Sequence, residues 1–292
     1  MVKFYTDHYF HIGSAHYSSG KPCQDYALSG SNETLACAIV SDGCSTGRHT
    51  DVGSRVLTLS TLQAIRDHAR ASGGSLNTAV VSITSRQQQI IGTARLILGL
   101  ERVDMLATCG YVYLTQHGGF AHVQGDGVVA LKYRDGKILM SRLEWADNTP
   151  FYPSYGDDLN RFVEAHGGNL DAVRLTATTV IQNPDGSCVE VNSKGYTLRQ
   201  GLEGMLFDIS EHDLEQIEFI AVFSDGVTQI DGVDWKKAVS NFLSFKNTTG
   251  DFAKRRMIRG IKDMQLIGKG PVDDISYAVV RIEQSVDGEG KK

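Results

Sequence analysis

The sequence is poor in the features that would tie it to a membrane, a disulfide scaffold or a polyanion. No stretch approaches the ~18 consecutive apolar residues of a membrane span. The five cysteines, Cys23, Cys37, Cys44, Cys109 and Cys188, are odd in number and widely spaced, without a C-x-x-C pair. That excludes a disulfide framework and a structural zinc site. No Lys/Arg run advertises a basic groove, and a formal net charge of −5 gives no electrostatic reason to expect nucleic acid. Met1–Phe10 lacks a basic stretch followed by an apolar one, so it does not read as a signal peptide. The expectation is a soluble cytoplasmic chain with no membrane or nucleic-acid partner. Gly288–Lys292 reads as a frayed terminus. There is no G-x-x-x-x-G-K-[ST], no G-x-G-x-x-G and no H-E-x-x-H, and no internal repeat, low-complexity tract or linker.

What is present is an ordinary globular composition, 41% hydrophobic and 22% charged over 292 residues, enough for a sizeable core. Two stretches stand out: Ala38–Gly43, read A-I-V-S-D-G, and its echo Ala221–Gly226, A-V-F-S-D-G. Each is an apolar, β-branched run ending abruptly in Asp-Gly, the pattern of a buried strand whose end aims a carboxylate at a fixed point. A third acidic strand end, Asp273-Asp274, precedes Ile275–Ile282. Asp-Gly alone is ordinary turn chemistry. Matched runs with a third acidic pair argue instead that Asp42, Asp225 and Asp273 converge. Converging carboxylates repel unless a cation lies between them, so the pattern points to hard divalent cations.

In chain order the pattern predicts strands at Tyr5–Ser14, Tyr26–Ser29 and Thr34–Ser41, then helices at Asp51–Ala71 and Leu76–Leu100, the second open to a break at Gly92. Met105–Thr115, Phe120–Gln124 and Val128–Tyr133 read as an antiparallel meander. Trp145–Asn169 is irregular and aromatic, and long segments of that kind are usually functional or a lid. Strands at Ala172–Ile181 and Ser187–Asn192, a strand at Ile217–Phe223, helices at Trp235–Phe245 and Asp251–Gln265 and a last strand at Ile275–Ile282 complete the chain. Without strict β-α alternation, this order predicts an α+β sandwich rather than a doubly wound parallel sheet. His8 and His11 fall on opposite faces of the first strand and do not form a metal pair.

Gly43-Cys44-Ser45-Thr46-Gly47 matches G-x-S-x-G between a strand and a helix, as in a serine-hydrolase nucleophile elbow. That chemistry needs a late histidine, and the last one here is His212, before Asp225. The match reads as accidental.

Placed beside Gly13–Tyr26, G-S-A-H-Y-S-S-G-K-P-C-Q-D-Y, these acids make the chain resemble the metal-dependent type 2C protein phosphatases, in their compact bacterial branch. Asp42-Gly43 resembles the family's D-G-x-G-x. Thr108-Cys109-Gly110 and Gly125-Asp126-Gly127 resemble T-x-G and G-D-S. Ser224–Val227 resembles S-D-G-[LV], and Asp273–Ser276 resembles D-[ND]-x-[ST]. The motifs run in order from about residue 13 to 282. The resemblance implies one domain over 1–292, a four-layer α-β-β-α sandwich of two antiparallel sheets, with 145–169 as a flap beside the site. It implies hydrolysis of phosphoserine or phosphothreonine in a protein substrate, opposing a cognate protein kinase. It also implies two Mn²⁺ or Mg²⁺ ions, with a weaker third in some members. Carried over by residue, Asp42 would bridge two metals, the Gly43 carbonyl would add a ligand, and Asp225 and Asp273 would complete one ion. Asp25 would lie beside the other, and Asp126 matches the third site.

The departures from the family pattern fall on other roles. Cys44 stands where some members carry a histidine suspected as general acid, which leaves His16, His49 or a metal-bound water as candidates. His16 falls within the G-x-S-H opening and is the preferred catalytic residue on resemblance. Gln24 stands where Glu is common. The family's phosphate-binding Arg has no clear match, with Lys21 or Arg48 as possible substitutes. These losses keep open an alternative, a catalytically impaired phosphatase-like binding or regulatory module. The retained acids argue for the enzyme.

Overall fold

The computed structural model describes residues 2–284, and Gly288–Lys292 lies outside them. The elements in chain order are β1 (Val2–His11), α1 (Ser14–Ser19), β2 (Tyr26–Ser31), β3 (Leu35–Ser41), α2 (Thr50–Ser72), α3 (Ala79–Leu98), β4 (Cys109–Thr115), β5 (Gly118–Gln124), β6 (Gly127–Tyr133) and β7 (Ile138–Trp145). There follow α4 (Leu159–Ala165), β8 (Val173–Gln182), β9 (Cys188–Thr197), α5 (Leu198–Glu203), β10 (Met205–Ser210), α6 (Glu211–Gln216), β11 (Ile217–Phe223), α7 (Trp235–Phe242), α8 (Phe252–Gln265) and β12 (Ile275–Gln284). A seven-stranded sheet has the order β1-β12-β11-β6-β7-β8-β9, and a five-stranded sheet the order β10-β5-β4-β3-β2.

The strands that read as continuous apolar runs are buried on both faces, and residue parity assigns each face. Along β3, Ala36, Ala38 and Val40 join the core between the sheets, while Cys37 and Ile39 face α2 and α3. Along β11, Ile220 and Val222 point between the sheets, and Phe219, Ala221 and Phe223 point to α7 and α8. Three apolar layers therefore separate four structural ones: helices, sheet, sheet, helices. This is the expected α+β sandwich. The small residues Ala36, Ala38, Ala121 and Ala278 fill much of the central layer and let the sheets approach closely.

Two expectations at element level are corrected. The stretch from β4 to β6 is not one meander: β4 and β5 belong to the five-stranded sheet, and β6 pairs with β7 and β11 in the other. The chain changes sheets at Gly125-Asp126-Gly127. Gly125 and Gly127 have φ of 112° and 127°, and a Cβ on Gly127 would meet the Phe223 carbonyl oxygen at 2.5 Å. No other residue type takes that backbone easily. The second helix runs unbroken through Gly92, because nothing crowds that position and one glycine costs only about 1 kcal/mol.

Candidate metal centre

The acids converge because strand register carries them to one end of both sheets. In β2 and β3, Tyr26 pairs with Ser41, so Asp25 and Asp42 leave the five-stranded sheet side by side. In β11 and β12, Phe223 pairs with Tyr277 and the Ser224 amide donates to the Ser276 carbonyl at 3.0 Å. Asp225 and Asp273 therefore leave the seven-stranded sheet together. Asp126 sits in the crossover between the sheets. Asp42, Gly43, Asp126, Asp225 and Asp273 all border one cavity of about 630 Å³, and Asp25 lies fully buried behind Asp42.

Backbone contacts fix the carboxylates in place. The Thr108 hydroxyl accepts from the Asp42 amide at 3.2 Å, and the Thr108 amide donates to the Asp42 carbonyl at 2.8 Å. Gly43 is glycine because a Cβ there would meet the Thr50 and Gln24 carbonyl oxygens at 2.6 and 2.9 Å. Gly226 is tighter still, with the Asp274 carbonyl oxygen 1.8 Å from any Cβ. The Gln229 amide donates to Asp225 Oδ2 at 2.7 Å.

The electrostatics are those of like charges held together. Burial pushes the Asp25 carboxyl up to about 7, and the charge on Asp274 adds to the rise. The Asp42, Ser224 and Ser276 side chains beside it pull the other way, but none is placed for a well-formed hydrogen bond, so both Asp25 oxygens stay buried without a geometrically sound partner among the described residues. Burial, then the charges of Asp25 and Asp225, holds Asp42 well above the usual carboxylate range. Asp126 is raised by burial and by Asp225. Asp225 is raised by burial and by Asp273, against the pull of its bonds to Asp42 and Gln229. Orphaned carboxylate oxygens in a ring of acids form an all-oxygen donor set, which fits a hard divalent cation of the Mg²⁺ or Mn²⁺ kind.

His16 is elsewhere. It is buried in α1, with Nδ1 2.8 Å from Asp274 Oδ2 and 4.0 Å from Asp273 Oδ1, and it does not border the cavity. Asp274 also accepts from the Gly13 amide at 2.7 Å and the Gln24 amide at 2.6 Å. The carboxylate thus stitches the G-S-A-H opening to the segment that presents Asp25. His49 is exposed at the start of α2 and does not border the cavity either.

The expected phosphate cations fare similarly. Arg48 is taken up by Asp104, with both hydrogen bonds at 3.2 Å, and by Glu101 at 3.4 Å. Lys21 donates to the Ser45 carbonyl at 3.1 Å. The cations that border the cavity are Arg161 and Arg174, which the sequence reading passed over inside and just after the irregular segment. Arg174 bonds Asp147 at 3.2 Å and the His166 carbonyl at 3.2 Å. Arg161 is exposed and pairs with no carboxylate among the described residues. Their signal was available: an Arg in an otherwise aromatic, non-repetitive stretch.

The segment 145–169 is built on aromatics. Trp145, Phe151 and Phe162 are buried, with the Phe162 ring 5.2 Å from Phe151 and 6.0 Å from Trp145, both edge to face. Trp145 Nε1 donates to the Gly125 carbonyl at 2.8 Å, tying this core to the crossover that carries Asp126. Tyr152 and Tyr155 face the cavity. Burial raises the Cys44 thiol, but bonds from the Thr46 and Tyr152 hydroxyls outweigh it and the net shift is downward.

The fold, two antiparallel sheets between helices, is that of a phosphatase class. The chain belongs to the protein phosphatase 2C family, whose profile matches residues 12–258. In fold it is similar to the serine/threonine phosphatase Stp1 from Staphylococcus aureus, at 11% identity and a TM-score of 0.55, covering 97% of this chain and 96% of that one. It is similar to PppA, a regulatory component of the type VI secretion system in Pseudomonas aeruginosa, at 14% identity and 0.54, covering 96% and 98%. It is also similar to the catalytic domain of the phosphatase PstP, solved with two manganese ions, at 15% identity and 0.51, covering 97% and 100%. No curated protein sequence matches the chain significantly. No helix among the described residues is long and apolar enough to cross a membrane.

Proposed function

We propose that this chain is a metal-dependent hydrolase of phosphoserine and phosphothreonine in proteins. The observation that carries the reading is the convergence of Asp25, Asp42, Asp225 and Asp273 with Asp25's two buried, unpartnered oxygens. Asp42, the Gly43 carbonyl, Asp225 and Asp273 would hold two divalent ions, with Asp25 beside them and Asp126 placed for a weaker third. Bound there, the ions would lower the pKa of a water and offset phosphoryl charge.

The protein's own residues do the rest. Water oxygen attacks phosphorus, the bond from phosphorus to the serine or threonine oxygen breaks, and that oxygen takes up the proton that the attacking water gives up. The acids fix where the attack starts. Arg161 at the mouth supplies the positive charge that a phosphoryl dianion needs among so many carboxylates, and Arg174 holds the rim through Asp147 and the His166 carbonyl. His16 acts as a positioning residue: it steadies Asp274 and, through it, the segments carrying Asp25 and Asp273.

Asp42→Asn and Asp225→Asn test this. Loss of a residue that only supports a ligand typically costs ~10–100-fold, so loss of a ligand is expected to cost at least ~100-fold in turnover and to weaken Mn²⁺ binding. Full activity in both variants would sink the two-metal reading.

A further inference from the structure

The outer face of the seven-stranded sheet carries a second, chemically opposite feature. A cleft of about 470 Å³ opens between the end of α7 and the first half of α8. Its cations are Lys246, Arg255, Arg256 and Arg259, against one carboxylate, Asp263. Its apolar wall is Phe245 and Phe252, edge to face at 5.0 Å. Elsewhere on the surface Arg48, Arg86, Arg102, Arg174 and Arg281 each have a carboxylate within 4 Å. The four cleft cations have none among the described residues. Arg255 and Arg259 stack four residues apart on one helix face, where like charges repel. Asp263, four residues beyond Arg259, makes no ion pair with it.

Two of the guanidiniums are also held in place by backbone carbonyls. Arg255 donates to the Thr249 carbonyl at 2.7 Å, and Arg256 Nε to the Asn241 carbonyl at 2.6 Å. Asp7 of β1 accepts the Ala253 and Lys254 amides at 2.6 and 3.0 Å, which anchors the start of α8. The charge is held in place in a chain whose formal net charge is −5. A broad polyanion such as a duplex or an anionic membrane would meet that overall repulsion. A short acidic segment with an apolar residue for the Phe245 ring spans only the cleft and meets less of it.

We propose that this cleft docks an acidic segment of the phosphoprotein substrate, at a distance from the phosphorylated residue; this rests on the phosphatase reading. The distance follows from β11. Phe219, whose ring lies 4.9 Å from Phe245, is the third residue of β11, and Asp225 follows two residues beyond the end of that strand. Six residues at ~3.3 Å put the cleft about 20 Å from the acids. An extended linker must therefore supply at least about six residues between the acidic segment and the phosphothreonine. Tethering of this kind raises effective concentration without new contacts at the catalytic centre.

The test has a binding arm and a turnover arm. A fluorescein-labelled Glu-rich peptide with one central leucine, carrying no phosphate, is titrated with the whole protein. Saturable binding is expected, weakening as salt rises and falling at least ~10-fold in Arg255→Glu/Arg259→Glu, a charge reversal at exposed positions. In the turnover arm, a Glu-rich tail set about ten residues from a phosphothreonine raises kcat/KM several-fold over the tail-less peptide. The same tail two residues away gives no gain, and the double variant loses the gain while its rate on p-nitrophenyl phosphate is unchanged. No binding by the wild type, salt-independent binding, or equal binding by the variant would overturn the proposal. So would a tail effect indifferent to spacing. Should the protein bind the acidic peptide in this way yet hydrolyse no phosphoester, the phosphatase reading fails and the cleft stands as a docking surface. The binding arm separates the two failures.

Discussion

At the scale of single residues, the acids do two jobs that conflict until a cation arrives. Asp25 has a carboxyl pushed up to about 7 in the fold, against ~3.9 for an unperturbed aspartate. Between those values the folded protein keeps a proton that the unfolded chain has released. Fewer protons on the unfolded state makes the stability slope negative, so metal-stripped protein loses stability as pH rises through that window. Metal binding displaces the proton and is favoured as pH rises. The rise in Tm on adding Mn²⁺ is therefore expected to be larger at pH ~7.5 than at pH ~5.5; equal rises would contradict the assignment. Arg161→Ala is expected to raise KM for a phosphothreonine peptide about tenfold, as loss of one charge-assisted contact does, with a smaller effect on kcat. His16→Ala should lower Tm and metal affinity yet keep both limbs of the kcat pH profile; loss of one limb would make His16 the proton donor instead. The convergence of Asp42, Asp225 and Asp273 was legible because each ends an apolar run in Asp-Gly or opens one, whereas Asp25 and Asp126 came in only with the family resemblance. Arg161, Arg174 and Gln229 were not legible, because their significance lies in which cavity wall they reach, and only the folded segment 145–169, the start of β8 and the loop after β11 decide that.

At the scale of elements, periodicity located most of the framework. Strands such as β11 and β3 are buried on both faces, which makes their sequences near-continuous apolar runs, and α2 shows its helical spacing plainly. The short pieces escaped. α1 is one turn and a half of Ser, Ala, His and Tyr, and β10 is an edge strand with half its residues exposed, so neither has enough apolar pattern to stand out. The sheet change at Gly125-Asp126-Gly127 was hidden for another reason: consecutive antiparallel strands look the same in sequence whether they pair or part. The central layer offers a packing test. Ala38→Leu inserts bulk where the sheets meet and is expected to destabilise by about 1–3 kcal/mol. Leu59→Ala, on the exposed face of α2, should stay within about 0.5 kcal/mol. Chemical denaturation of both variants checks the contrast.

At the scale of the whole molecule, two sheets bring their acidic ends to one edge, so that neither sheet alone holds the site. Asp25 and Asp42 come from one, Asp225 and Asp273 from the other, and Asp126 from the crossover between them. The aromatic segment 145–169 roofs the same cavity and joins it to the crossover through Trp145 and Gly125. This assembly is expected to need a divalent ion to hydrolyse a phosphoester. The direct measurement is hydrolysis of p-nitrophenyl phosphate and of a phosphothreonine peptide by metal-stripped protein, before and after Mn²⁺ or Mg²⁺ is restored. Negligible turnover is expected without metal, and recovery of both activities with it. Turnover that is indifferent to chelation, or metal binding confirmed with no turnover of either substrate, would contradict it.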